Sequence, residues 1–77
     1  MTILFNGPEG LAVANISYAS YNEEFGYLWL LIDDANVALQ EIQFDMDEST
    51  ANIIIKELYN TGKVDFTIYG RARMSDW

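Results

Sequence analysis

Residues 47–63, DESTANIIIKELYNTGK, carry the one helical pattern in the chain, and their reading decides the fold. Ala51, Ile54, Ile55 and Leu58 fall at i, i+3, i+4 and i+7, which lines one stripe of an α-helix with apolar side chains. Asp47 and Ser49 are candidate N-caps, because a short polar side chain there accepts from the free N–H groups of the first turn. Glu48 suits the positive end of the helix dipole. Gly62 suits the position just past the helix end, with Lys63 close behind.

On either side of this helix the pattern changes from a period of 3.6 to one of 2. Downstream, Val64, Phe66 and Ile68 alternate with Asp65, Thr67 and Tyr69, as a half-buried strand does, and Gly70 to Met74 continues the two sets. Upstream, Val37 to Met46 reads as a strand with Ile42, Phe44 and Met46 on one face and Glu41, Gln43 and Asp45 on the other. Before it comes the turn Asp33-Asp34-Ala35-Asn36. Phe25 to Ile32 is nearly all apolar and reads as a central strand buried on both faces. Leu11 to Tyr21 reads as a further strand of imperfect phase, with Leu11 and Val13 pointing one way and Ile16 and Tyr18 the other, which a bulge or a twist would reconcile. Asn22-Glu23-Glu24 connects these two strands as a hairpin. Met1 to Phe5 is a short strand, closed by the turn signal Asn6-Gly7-Pro8-Glu9-Gly10.

The expected fold is therefore α+β: a four- to five-stranded, mainly antiparallel sheet with one α-helix packed on one face, in the order β-β-β-β-α-β. Residues 1–77 form one acidic domain. One helix shields one face of such a sheet. The other face needs either curling of the sheet into a partial barrel or a second subunit. The chain has no Cys and no His, so neither disulfides nor thiolate or imidazole metal sites can staple so small a domain. Self-association as a homodimer is the expected substitute.

Charge is the most informative feature for function. The net charge is −8, from 12 acids and 4 bases. Nine of those acids lie before residue 56, and no Lys or Arg does. Such a surface repels nucleic acid and anionic membranes and attracts basic protein surfaces. Glu23 and Glu24 sit at one end of the central strand, and Asp33 and Asp34 at the other. Glu41, Asp45 and Asp47 are expected along the outer face of the next strand. Carboxylates two residues apart on one strand face stand ~6.6 Å apart, a spacing on the scale of nucleic-acid phosphates. These seven residues are the candidate partner-binding set, and the expected partner is a basic, nucleic-acid-binding protein. Small acidic phage-encoded inhibitors, including some anti-CRISPR and anti-restriction proteins, work in this way. The chain is similar to them in size and charge, and no residue motif carries the comparison. The plain alternative is a solvated face that keeps the domain dispersed. In that case the chain is a small homo-oligomeric structural or assembly protein.

A second candidate surface is the stripe Thr67, Tyr69, Arg71 and Arg73 with Trp77, since Arg and aromatic residues are enriched at interface hot spots. Weak divalent-cation binding is a third reading, at Asp33-Asp34 or Asp45-Asp47. The run from Asp45 fails the calcium-loop pattern, however, with Thr50 where Gly is required and Lys56 where Glu is required. No catalytic residue and no cofactor is expected. The usual bases and strong nucleophiles are missing, and the Gly7–Gly10 turn precedes a strand rather than a phosphate-binding helix. Met1 to Phe5 lacks the basic start of a signal peptide, and the apolar run Phe25–Ile32 is too short to span a bilayer. A cytoplasmic location is expected.

Overall fold

A computed structural model describes residues 1–33 and 40–76, with side chains through Arg73. Strands β1 (Thr2–Gly7), β2 (Gly10–Asn22), β3 (Tyr27–Ile32) and β4 (Gln40–Asp45) precede helix α1 (Glu48–Thr61). β5 (Lys63–Asp65), a 3-10 turn (Thr67–Tyr69) and β6 (Arg73–Asp76) follow it. The α+β class and the order β-β-β-β-α-β hold, with the last strand in two pieces. The sheet order is β5-β1-β2-β3-β4-β6. All pairs are antiparallel except β1 with β5.

The split of the last strand corrects the reading of Val64 to Met74 as one alternating run. Asp65 Oδ1 accepts from both the Thr67 hydroxyl, at 2.6 Å, and the Thr67 N–H, at 2.8 Å. This local side-chain bonding competes with the strand ladder and turns the chain. Ile68 is consequently 77 % exposed, although the alternation placed it with buried Val64 and Phe66.

The same split explains how the sheet covers itself. β5 and β6 lie at opposite ends of the strand order, yet they are neighbours in sequence. Between them Asn6 bridges Arg71, and the Ala72 N–H donates to the Asn6 carbonyl at 2.9 Å. The sheet thus curls into a barrel-like ring that the C-terminal segment spans, while β5 and β6 each pair on one side among the described residues. The curled sheet and helix α1 enclose the inner face between them.

β2 is the strand that permits the curl. Its first half pairs with β1 and its second half with β3, and the register shifts between Ile16 and Tyr18. The shift separates Ile16 from Tyr18, which the sequence reading sets on one face. Ala12, Ala14 and Ile16 face inward before it, and Ala19 and Tyr21 face inward after it. Leu11 and Val13 therefore point outward, 70 % and 68 % exposed.

The core lies between the inner sheet face and the helix. Ile3, Leu28, Leu30, Ile42, Phe44, Ala51, Leu58 and Phe66 are essentially inaccessible. Phe66 stacks on Phe44 with ring centroids 4.6 Å apart. The helix begins as expected, with Asp47 as N-cap accepting from the Thr50 N–H at 3.3 Å. It ends at Gly62, in the left-handed region at φ 76°, whose N–H donates to the Leu58 carbonyl at 2.8 Å. Nothing lies within 4 Å of a Cβ built on Gly62, so the cost of Gly62→Ala is conformational. A loss of about 1 kcal/mol is expected in urea unfolding, with the m-value unchanged.

Two strand boundaries differ from the sequence reading. Phe25 is 71 % exposed in the hairpin turn rather than at the start of β3. There the Phe25 N–H donates to Asn22 Oδ1 at 3.1 Å, the Gly26 N–H donates to the Asn22 carbonyl at 2.9 Å, and Gly26 sits at φ 72°. A side-chain-capped turn of this kind consumes the residue that would otherwise extend the strand. The described part of the next strand is Gln40–Asp45. The expected turn from Asp34 and the strand start from Val37 lie outside the described residues.

Candidate functional site

Antiparallel pairing of β3 with β4 sets Tyr27 opposite Asp45. This places the Glu23-Glu24 hairpin beside the entry to the helix. Two hydrogen bonds join these segments: the Met46 N–H to the Gly26 carbonyl at 3.4 Å, and the Tyr21 hydroxyl to the Met46 carbonyl at 2.9 Å. Glu23, Glu24, Asp45, Asp47 and Glu48 are all exposed and share this end of the sheet. The Tyr21 hydroxyl responds to them. Desolvation raises its pKa above the ordinary tyrosine value, and the charges of Glu48, Asp47 and Glu23 raise it further.

Several expected contacts are placed elsewhere. Asp33 is exposed at the far end of β3, about 20 Å away at ~3.3 Å per residue, with its N–H donating to the Asn15 carbonyl at 2.8 Å. Glu41 does face outward, in register with Leu31, but it is buried. Its Oε2 accepts from Gln43 Nε2 at 2.8 Å. It is withdrawn from contact with a partner, a correction to the expected set. Asp34 and Trp77 lie outside the described residues. Of the carboxylates expected along the outer face of β4, Asp45 stays exposed on the strand. Gln43 stands between Glu41 and Asp45, and Asp47 has left the strand to cap the helix.

The Arg-bearing segment is not apart from the acids, as the sequence order suggests. β6 pairs with β4, and Arg73 Nη2 donates to Asp45 Oδ1 at 2.6 Å while its guanidinium lies 5.5 Å from the Tyr27 ring centroid. Both partners are more than half exposed, so the pair contributes at most about 1 kcal/mol. The stripe Thr67, Tyr69, Arg71 and Arg73 is not one strand face either. Tyr69 is in the 3-10 turn against Phe66, with centroids 5.8 Å apart, and Arg71 bridges β1.

With Asp45 paired, the net negative charge of this end comes from Glu23, Glu24, Asp47 and Glu48. Lys56 is eight residues along the helix from Glu48, ~12 Å at ~1.5 Å per residue. That exceeds the ~8 Å screening length at physiological salt. Glu48 and Tyr21 were not in the expected set. Glu48 adjoins Asp47 in sequence, and only the β3–β4 register reveals that the hairpin acids stand beside both.

Asp47 and Asp65 carry the clearest titration signature. The Thr50 hydroxyl, followed by its N–H, lowers the Asp47 pKa from 3.8, and Thr67 lowers the Asp65 pKa from 3.8 in the same order. A carboxylate depressed on folding stabilises the fold above its unfolded pKa, and that contribution is lost as pH falls through the folded value. The drop in Tm below pH ~3.8 is accordingly expected to be smaller in Asp47→Ala/Asp65→Ala than in the wild type. Thermal melts from pH 5 to pH 2 check this.

Among the described residues no group of three acidic side chains is placed to hold a metal ion, and no helix is long and apolar enough to cross a membrane. Fold and site together define a small α+β domain with a carboxylate-rich end on a curled sheet. No protein family, characterised protein or solved structure showed a significant match to the chain.

Proposed function

We propose that this domain is a binding protein whose acidic end docks on the basic surface of a nucleic-acid-binding protein. It acts as an inhibitor of the kind found in phages and mobile elements, in the cytoplasm, and performs no catalysis. The observation that carries this reading is the convergence of Glu23, Glu24, Asp47 and Glu48 at one end of the sheet. Arg73, the base shown at this end, is taken up by its pair with Asp45. Such a surface repels nucleic acid itself and steers basic partners into contact.

The test is capture from a bacterial lysate at low and high salt, followed by competition with DNA. The immobilised domain should retain a nucleic-acid-binding protein that is released at high salt. The free domain should displace labelled DNA from that protein. Retention without displacement of DNA would overturn the inhibitory reading.

A further inference from the structure

The outward face of the ring, away from the helix, differs from the rest of the surface. β1, β2 and β3 span 6, 13 and 6 residues and contain no charged side chain. Leu11 and Val13 stand out from this face, and Tyr18, 43 % exposed, meets Trp29 edge-on with centroids 5.3 Å apart. Among the described residues, charges begin at its borders, with Lys63 and Asp65 on one side, Glu41, Asp45 and Arg73 on the other, and Asp33 at the end of β3. A shallow depression of about 320 Å³ lies along the first border, between Leu4, Val13 and Lys63. An uncharged, aromatic-bearing centre inside a charged rim is the anatomy of a protein interface.

We propose that this face is the contact between two copies of the chain. Charge selects the occupant. Each copy carries −8, and approach through the hairpin turns, β4 or the helix sets carboxylate against carboxylate. Approach through β1–β3 does not. A basic partner, by contrast, is drawn to the acidic end and away from this face. Pairing also supplies the staple that a chain of this size without Cys or His otherwise lacks. In the resulting dimer both acidic ends remain open, so the proposal stands independently of the function assigned to them.

Sedimentation equilibrium of the full chain from about 1 to 100 μM tests this. The wild type should sediment as a dimer, and more tightly at 0.5 M NaCl, because salt screens repulsion between copies and leaves apolar contact intact. Leu11→Glu/Val13→Glu should raise the dimer dissociation constant about tenfold or more. Its far-UV circular dichroism should be unchanged, since both positions are exposed. Val13→Lys alone should weaken the dimer similarly, which covers the case of a misfolded double variant. A monomeric wild type throughout this range, a dimer dissociated by salt, or a folded variant that dimerises as the wild type does would overturn the proposal.

Discussion

Phe66→Ala is expected to remove about a third or more of the domain's stability. Phe66 is fully buried. It stacks on Phe44 and touches Tyr69, so one ring joins β4, the turn after β5 and the inner sheet face. Truncation of a buried phenylalanine costs about 3–5 kcal/mol, and loss of the aromatic stack puts this site in the upper part of that range. At roughly 0.05–0.15 kcal/mol per residue the whole domain is stable by only about 4–12 kcal/mol. Phe66 also precedes the residues that span the ring, since its N–H donates to the Leu4 carbonyl at 2.7 Å. A urea midpoint lowered to match that loss of stability is the expected readout. Phe66→Leu, which keeps most of the volume, should remain folded with a lowered urea midpoint. Wild-type stability of the alanine variant would show that the ring is not held by this contact.

The second large effect is on recognition. Glu23→Lys/Glu24→Lys is expected to weaken partner binding at least tenfold at low salt. The matched variant Glu9→Lys/Glu57→Lys should change it by less than about threefold. Both variants carry the same net charge, −4 against −8, so the comparison separates a local surface from overall charge. All four positions are exposed, and neither variant removes a cap or a core contact. The hairpin variant also relieves repulsion from Asp47 and Glu48, so its Tm should be no lower than that of the wild type. Elution from an anion-exchange resin provides a partner-free check: the hairpin variant should elute at lower salt than its matched control.

What could be read from the sequence was local. The helix was legible because its apolar spacing, Asp47 and Gly62 act within a few residues of one another. The bulge in β2 was not placed by the sequence, because Leu11, Val13 and Ile16 alternate regularly and the sheet face reverses only between Ile16 and Tyr18. The break after Asp65 was not legible either, because the hydrogen bonds from Thr67 interrupt an alternation that looks continuous as text. The span across the ring depends on Asn6 meeting Arg71, a contact between residues far apart in the chain with no local signature. The acidic site follows the same division. The placement of Glu23 and Glu24 at one strand end, with Asp33 at the other, came from strand length alone. Their meeting with Asp47 and Glu48, the burial of Glu41 and the capture of Asp45 by Arg73 depend on strand register, which composition does not determine.

The most direct test of the acidic end as a docking surface is a parallel capture with wild type, Glu23→Lys/Glu24→Lys and Glu9→Lys/Glu57→Lys immobilised at equal density, each at about 50 mM and 500 mM NaCl. Wild type and the matched control are predicted to retain the same basic protein at low salt and release it at high salt, while the hairpin variant retains none. Equal recovery on all three, or recovery that ignores salt, would contradict the account.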